Sequence, residues 1–341
     1  MYTFLANLTA YLRRHGIGYT RDLNDEYDIL FVNSFAVPFE AVFAAKRARP
    51  TLKVVQRLDG SARDYGRYGD GDDRQAQVNL LADLTVFQSH YARYGVRDKY
   101  RVIPQDGPVI YNPVDLDLFR PADSPPENPR PRVANAAFSM NPKKGARSLD
   151  LLAESHPDID FVLCGRYDSI GEHPNVRQMG FLNQADLADV FRTCDVFLTL
   201  TENDSCPNVV LEALASGLPL LYRESGGVPE LVGQCGVPTE LATFRSALGD
   251  VLGRQRELSK AARQRAIDCF DPDLIFERYL AAMESAVRQP IPSYAAVFTL
   301  ALRGYPPLVL PGRRTPRLAT TALLSAGKRI VKAVLSKVYR T

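Results

Sequence analysis

The chain has 341 residues, 45% of them hydrophobic and 24% charged, which is typical of a globular protein with two domains of ordinary size. No apolar run approaches the ~20 residues of a membrane-spanning helix, and the N-terminus has no basic segment typical of a secretory signal. The five cysteines form no Cys-x-x-Cys pair, so we expect neither a disulfide framework nor a zinc site, and we expect a reducing cytoplasm.

Apolar strand-like runs alternate with segments of helical period in the first half of the chain. A helix is predicted at residues 2–15, and Gly16 ends it. Buried strands are predicted at residues 29–32, 53–55, 84–87 and 109–111. Continuous apolar strands separated by helices predict a parallel sheet that is covered on both faces.

A proline-rich stretch at residues 121–131 interrupts this alternation. Its five prolines fit neither a helix nor a central strand, so we predict an interdomain linker there. Strands are then predicted at residues 133–138, 161–164, 196–200 and 219–222. Helices are predicted at residues 146–154, 184–193, 207–216, 240–252 and 255–287. Two α/β domains would leave a cleft between them, beyond the carboxyl ends of their strands, where ligands of such sheets bind.

Residues 201–219 carry the most informative pattern, directly after an apolar strand. Pro207 suits the first turn of a helix, where its missing N–H is no loss. The helix start would leave three backbone amides free, those of Asn208, Val209 and Val210. Free amides at the positive end of a helix form a site for an anion such as a diphosphate. Glu212 lies one to two turns further along, and Gly217 ends the helix.

With Asp204 eight residues before Glu212, this segment resembles the acidic-x7-Glu signature of the retaining family-4 glycosyltransferases. The resemblance implies an α/β GT-B fold, in which two Rossmann-like domains face a central cleft. It implies that Asp204 contacts the donor sugar and that Glu212 binds the ribose hydroxyls. Aspartate stands at 204 where the family usually has glutamate. The loop around the diphosphate would consist of Ser205, Cys206, Pro207, Asn208 and Val209.

Further motifs extend the resemblance over most of the chain. Residues 141–145 resemble a Lys-Gly motif, which implies that Lys144 holds the donor phosphates and that Lys143 is a surface charge. A lysine suits this role because the leaving diphosphate gains negative charge as the glycosidic bond breaks. Ser139 stands where the family often has an arginine. The resemblance implies donor contacts near the nucleotide and its base for Gly165 and for the turn Gly180, Phe181 and Leu182. Residues 225–230 match a Gly-Gly-x-Pro-Glu turn.

The resemblance also sets the expected domain organisation. Residues 1–120 would form an acceptor-side Rossmann-like domain that lacks the family's first strand and glycine-rich loop. Residues 132–287 would form the nucleotide-sugar-binding domain, and residues 288–341 a basic tail. That tail holds ten basic residues, and no acidic residue follows Glu284. From Ser325 onward the pattern predicts an amphipathic helix, with its apolar face within residues 330–338, that would bind an anionic membrane surface. A solvated or disordered terminus is the alternative.

We therefore predict a retaining glycosyltransferase, with Asp204 and Lys144 as catalytic residues. It would move a sugar from a nucleotide-diphosphate sugar to a saccharide or lipid-linked acceptor in cell-envelope polysaccharide synthesis. We expect a cytoplasmic or peripheral membrane protein with no metal, no cofactor beyond the donor and no nucleic-acid partner. One alternative is a non-catalytic sugar-nucleotide-binding or scaffold protein of the same fold. Another is a nucleotide-sugar epimerase, which the acidic-x7-Glu signature disfavours.

Plainer interpretations of the key residues remain open at this point. Glu212 could be a solvated residue on an amphipathic helix, and Asp204 could simply cap that helix. The run Asp70-Gly71-Asp72-Asp73 mimics a metal-binding Asp-x-Asp, but it lies away from any strand end. We therefore interpret residues 65–74 as a mobile acidic loop.

Overall fold

The computed structural model describes residues 3–289, apart from Tyr68 and Pro104, together with the backbone of Ala333–Leu335. It contains two parallel sheets with helices on both faces, as the sequence predicts. No helix in this described part of the chain is both long enough and apolar enough to cross a membrane.

The first sheet has five strands in the order β1-β11-β2-β3-β4. Its strands are β1 (Tyr19–Thr20), β2 (Ile29–Asn33), β3 (Lys53–Leu58), β4 (Leu84–Phe87) and β11 (Ala333–Leu335). The helices of this half are α1 (Thr3–Arg14), α2 (Phe39–Ala48), α3 (Gly71–Asn79) and α4 (His90–Arg93), which continues as a π-helix to Lys99. The buried faces of α1 and α2 meet opposite sides of β2, because alternate residues of a strand point to opposite faces.

The second sheet has six parallel strands in the order β10-β9-β8-β5-β6-β7. These are β5 (Arg132–Ala137), β6 (Asp160–Gly165), β7 (Val176–Gly180), β8 (Val196–Thr199), β9 (Leu220–Tyr222) and β10 (Gly236–Pro238). Its helices are α5 (Ala146–Ser155), α6 (Gln184–Arg192), α7 (Asn208–Ala215), α8 (Val228–Val232), α9 (Phe244–Gly253), α10 (Gln255–Phe270) and α11 (Pro272–Arg288). The strand order reverses between β5 and β8, and a crevice opens beyond the carboxyl ends of parallel strands at such a point.

The last two helices differ from the single helix predicted at residues 255–287. Pro272 lacks an N–H and begins α11, while the Asp271 side chain accepts the amides of Asp273 and Leu274 at 2.8 and 3.1 Å. Helix α11 then packs against the first sheet, where Phe276 and Tyr279 are fully buried. The chain thus returns to its first half after completing the second sheet.

Three further sequence expectations are wrong in the structure. Residues 109–111 form no strand beyond a single bridge between Phe87 and Val109. Residues 65–74 are not simply a mobile acidic loop, because α3 begins at Gly71 and Asp72 is buried. Its carboxylate accepts hydrogen bonds from the Ser61 hydroxyl and the Ala62 amide at 2.8 and 2.7 Å. The helix predicted from Ser325 onward is wrong at Ala333–Leu335, which form strand β11, and the rest of the tail from residue 290 lies outside the described residues.

Candidate active site

Two loops meet at the carboxyl edge of the second sheet, one after β5 and one after β8. In the first loop, the Asn141 side chain accepts the Lys143 amide at 3.0 Å and starts a short 3-10 helix that ends at Lys144. Gly145 follows with φ of +82°, and a Cβ there would lie 2.9 Å from the carbonyl oxygen of Leu200, at the end of β8. This close approach of the two backbones brings Lys144 beside the loop that leads into α7.

Lys144 and Asp204 form an ion pair in this crevice. The Lys144 Nζ lies 2.6 Å from an Asp204 carboxylate oxygen, and each side chain is 18% exposed. Burial alone would lower the pKa of Lys144, but the Asp204 carboxylate and the Tyr65 phenol outweigh it and leave that pKa raised. Lys144 therefore stays positively charged at neutral pH. Asp204 does not cap α7, because the cap position is Pro207 and no side chain bonds there.

Helix α7 begins at the same edge with free backbone amides. The N–H groups of Asn208 and Val209 bond to no described residue, whereas that of Val210 donates to the Pro207 carbonyl oxygen at 3.0 Å. Two of the three predicted amides are thus available to an anion, and the prediction for Val210 is wrong. The positive end of the helix dipole adds to their attraction for a phosphate.

Glu212 is buried inside α7, so the interpretation as a solvated surface residue is wrong. The residue is only 6% exposed, and its Oε2 atom has no hydrogen-bond partner among the described residues. Burial raises the pKa of Glu212 to about 7, although a hydrogen bond with Gln184 opposes the shift. A buried carboxylate oxygen without a partner is costly unless a ligand supplies the donors.

The glycines and the turn predicted to lie near the nucleotide occupy the same edge of the sheet. Gly165 has φ of +119° at the end of β6, and a Cβ there would overlap the carbonyl oxygen of Ala137. Gly180 ends the neighbouring strand β7 with φ of +66°, and Leu182 packs against the core beside it. Phe181 is 65% exposed and stacks on exposed Phe138, with ring centroids 6.4 Å apart.

The segment Ser205–Cys206 lies between the two halves of the chain. Asn112 donates to the Cys206 carbonyl oxygen at 3.2 Å and to the Asn208 side chain at 2.8 Å. Asn112 in turn accepts a hydrogen bond from buried Arg57, which also binds Gln88. Burial raises the pKa of the Cys206 thiol to about 12, so this cysteine is not a nucleophile at neutral pH.

A loop of the first half, residues 61–66, completes the site and was missed in the sequence. The Asp64 carbonyl oxygen accepts hydrogen bonds from Lys143 Nζ at 3.0 Å and from the Asn203 side chain at 2.9 Å. The Tyr65 carbonyl oxygen accepts one from Asn141 at 3.0 Å. Lys143 is therefore a bridge between the halves and not a surface charge, which corrects the expectation. The positive φ of Asn203, 57°, helps to aim its side chain.

Glu230 of the Gly-Gly-x-Pro-Glu turn also joins the halves. Its carboxylate accepts the amides of His90 and Tyr91 at 3.0 and 2.9 Å, at the start of α4, and the Tyr111 hydroxyl at 3.0 Å. A carboxylate at a helix N-terminus satisfies free amides and complements the helix dipole.

We expect Glu230→Ala to lower the free energy of unfolding by about 1–2 kcal/mol, because it leaves the two α4 amides without their acceptor. Urea unfolding followed by circular dichroism would measure the loss. The matched control is Glu224→Ala, since Glu224 lies in the same segment, is exposed and should change stability by less than about 0.5 kcal/mol. Equal effects of the two substitutions would argue against the cap.

Gly60 lies where the first half of the chain approaches the loop that leads into α7. Gly60 has φ of +109°, and a Cβ there would overlap the Ser205 hydroxyl. Gly60→Ala should therefore destabilise the protein by about 1–3 kcal/mol more than Gly69→Ala. Gly69 is the control because its φ of +146° imposes backbone strain as well, but a methyl group added there would meet no atom within 4 Å. Similar unfolding curves for both variants would show that strain, and not the contact, sets the cost.

Metal-binding chemistry is not assembled in the described part of the chain. There, no three His, Cys, Asp or Glu side chains are grouped so that they could hold a metal ion. Asp72 is committed to hydrogen bonds within its own loop, and Asp73 pairs with Arg63 at 3.1 Å.

Two sheets of this kind with a crevice at the strand reversal define the GT-B class of fold. Residues 145–253 match the sequence model of the family Glycosyl transferases group 1. This match shows that the second half of the chain is similar to the group 1 glycosyltransferases, and the solved structures described below show that the whole fold is GT-B.

The particular relatives are similar to this chain at modest identity. The MMP alpha-(1->4)-mannosyltransferase of Mycolicibacterium hassiacum is 26% identical over 246 residues, which cover 64% of this chain and 58% of that protein. The glycogen synthase of Mycobacterium tuberculosis is 30% identical over 168 residues, 42% of this chain and 40% of that one. The chain thus spans about half the length of the curated relatives it matches.

Solved structures share the fold over most of the chain. The Anabaena protein Alr3699/HepE in complex with UDP has a TM-score of 0.64 and 20% identity, and the alignment covers 82% of both chains. The sucrose-phosphate synthase of Thermosynechococcus elongatus has a TM-score of 0.62 and 15% identity, with 81% of this chain and 75% of that chain covered.

Proposed function

We propose that the protein transfers a sugar from a nucleotide-diphosphate sugar to a saccharide or lipid-linked acceptor, with retention of anomeric configuration. The observation that carries the proposal is the grouping of three features at one strand edge. These are the Lys144–Asp204 ion pair, the free amides that begin α7, and the buried carboxylate of Glu212 with its unpartnered oxygen. The Lys144 ammonium group and the amides suit a phosphate, the Asp204 carboxylate suits a sugar, and the Glu212 carboxylate suits the ribose hydroxyls.

In the proposed reaction, the bond between the anomeric carbon and the diphosphate oxygen breaks. The acceptor hydroxyl oxygen forms the new bond on the same face of the sugar, and its proton passes to the leaving phosphate. Lys144 and the amides of Asn208 and Val209 would stabilise the negative charge that the leaving diphosphate gains. Asp204 would orient the sugar, and Glu212 would accept hydrogen bonds from the ribose hydroxyls. We propose that these groups act without a metal ion.

Relatives support a nucleotide-sugar donor. HepE was also solved in complex with UDP-glucose, and one similar protein of Mycolicibacterium smegmatis is named a GDP-mannose-dependent alpha-mannosyltransferase. These two donors differ in base and sugar but share the diphosphate and ribose that the site would bind.

A donor screen tests the proposal. Purified protein would be offered UDP- and GDP-sugars with saccharide acceptors, and the anomeric configuration of any product would be assigned by NMR. Transfer with retention, undiminished by a chelator, is the expected result. Nucleotide binding without either transfer or hydrolysis would favour the non-catalytic alternative. Loss of transfer with a chelator and its return with Mg²⁺ would contradict metal independence.

We also propose that the basic tail, residues 288–341, holds the protein at an anionic membrane where cell-envelope acceptors are made. Its ten basic residues are unopposed by any acidic residue after Glu284. Each basic residue near an anionic leaflet contributes ~1 kcal/mol, which salt screens. In co-sedimentation with anionic vesicles, the full chain should therefore be found in the vesicle pellet at low salt and in the supernatant at high salt. A full chain that stays in the supernatant at low salt would favour a soluble acceptor.

A further inference from the structure

The charges around the crevice do not suffice for a diphosphate as they stand. Lys144 is balanced by Asp204, so this pair brings no net positive charge to an anion. Three neighbouring cations also have protein partners. Lys143 donates a hydrogen bond to the Asp64 carbonyl oxygen, Arg223 forms an ion pair with Glu202, and Arg166 forms one with Asp168. A nucleoside diphosphate carries several negative charges, and it would gain from a cation that no carboxylate neutralises.

Arg67 is such a cation, and it belongs to the first half of the chain. Its guanidinium carbon lies 5.0 Å from the centroid of the Tyr65 ring, and Lys144 Nζ lies 5.6 Å from the same centroid. Both cations therefore contact the same phenol ring. Arg67 is exposed and forms no ion pair within the described part of the chain.

The backbone of the loop fixes where Arg67 can reach. The Arg67 amide donates to the Ala62 carbonyl oxygen at 2.8 Å, and Gly66 turns the chain with φ of +73°. The carbonyl oxygens of Asp64 and Tyr65, just before it, are bound by side chains from the loops that carry Lys144 and Asp204. The backbone just before Arg67 is thus tied to the crevice, while the Arg67 side chain is exposed to solvent and lies over the Tyr65 ring.

We propose that Arg67 binds the diphosphate of the nucleotide donor, an inference that rests on the proposed function. Its planar guanidinium can donate two parallel hydrogen bonds to one phosphate group, which a lysine ammonium cannot do. The first half of the chain then supplies a phosphate-binding cation to a site otherwise built on the second half. Donor binding would consequently add a contact to the hydrogen bonds that already join residues 61–66 to the second half of the chain.

The test compares Arg67→Gln and Arg67→Lys with a control in the same loop, Arg63→Gln. Arg63 has an exposed side chain too, but it is paired with Asp73 at 3.1 Å and lies 3.6 Å from Asp72. Calorimetry would measure binding of UDP and GDP, and NMR titration would measure binding of uridine and guanosine. We expect Arg67→Gln to weaken binding of the favoured diphosphate about tenfold and Arg67→Lys to weaken it less. Arg63→Gln should bind like the unaltered protein.

The nucleosides separate a phosphate contact from a general disturbance of the site. Their binding should not change in Arg67→Gln, because they carry no phosphate. If the unaltered protein binds one diphosphate and Arg67→Gln binds it equally well, the inference fails while the proposed function stands. Equal losses for nucleoside and diphosphate would also overturn the inference. If the unaltered protein binds neither diphosphate, the proposed function and the inference fail together.

Discussion

Glu212→Gln should weaken binding of the nucleotide sugar by about 1.5–3 kcal/mol, the usual scale for hydrogen bonds to a charged group. Glutamine keeps the size of the side chain but replaces one acceptor oxygen with an NH₂ group, so the ribose hydroxyls lose a charged acceptor. Calorimetric titration would measure the change. Unaltered donor affinity would contradict the ribose assignment.

In the ligand-free protein, ionisation of Glu212 should lower the free energy of unfolding as the pH rises. Glu212→Gln should abolish this pH dependence. The pKa of Glu212 is raised from 4.5 to about 7 in the folded protein, so the folded state keeps its proton between these values while the unfolded state has lost it. The free energy of unfolding therefore falls as the pH rises through this window, by about 3 kcal/mol in total from this group. Below pH 4.5 the carboxyl group is protonated in both states and no such loss occurs.

Urea unfolding at pH 5 and at pH 7.5 would test this dependence. The stability difference between Glu212→Gln and the unaltered protein should grow with pH, since all other titrating groups are common to both. Glu224→Gln is the control, because Glu224 is exposed and should show a difference that stays small at both values. Donor binding near pH 6 should also release protons, because the ribose hydroxyls favour the charged carboxylate. A difference that does not vary with pH would show that Glu212 is ionised normally.

The segments of the site that lie in the second half of the chain could be predicted from the sequence, because the signals for them are local. A strand, then Pro207, then a helix with Glu212 on its second turn are neighbours in the chain, and so are the residues around Lys144. Local propensity and capping decide such segments. The strand order then brings the two loops together, since both follow strands that are adjacent in the sheet, β5 and β8.

Contacts between distant segments could not be predicted in the same way. Nothing in the pattern of residues 61–66 indicates that two of its carbonyl oxygens bind Lys143, Asn141 and Asn203. Glu230 lies in a recognised turn, but two of its three partners are backbone amides, which any sequence offers. Two errors had usable signals, however. Asp271-Pro272 has the cap and first residue of a new helix, and Asp72 and Asp73 suit the first turn of α3.

The prediction with the largest expected effect on turnover is Lys144→Ala. It should lower kcat roughly 10²–10³-fold, the scale for removing one preorganised group that stabilises developing charge. Donor binding should suffer less, because the charge on the diphosphate grows only as the bond breaks. Lys143→Ala is the control: it removes the hydrogen bond to the Asp64 carbonyl oxygen, but it leaves Lys144 and Asp204 paired. If the two lysines exchanged these effects, the assignment of Lys144 would be wrong.

A double substitution sharpens the test. In Lys144→Ala the carboxylate of Asp204, only 18% exposed, loses its partner and faces the diphosphate with a charge of the same sign. Part of the loss of donor affinity should then come from repulsion and not from the missing ammonium group. Adding Asp204→Asn to Lys144→Ala should consequently restore part of the affinity for the nucleoside diphosphate while turnover stays low, because no cation returns to the leaving group. Calorimetry and initial rates on the two single variants and the double variant would measure both quantities. Additive losses of affinity would mean that Asp204 and Lys144 bind the donor independently, and that their ion pair has no part in the site's chemistry.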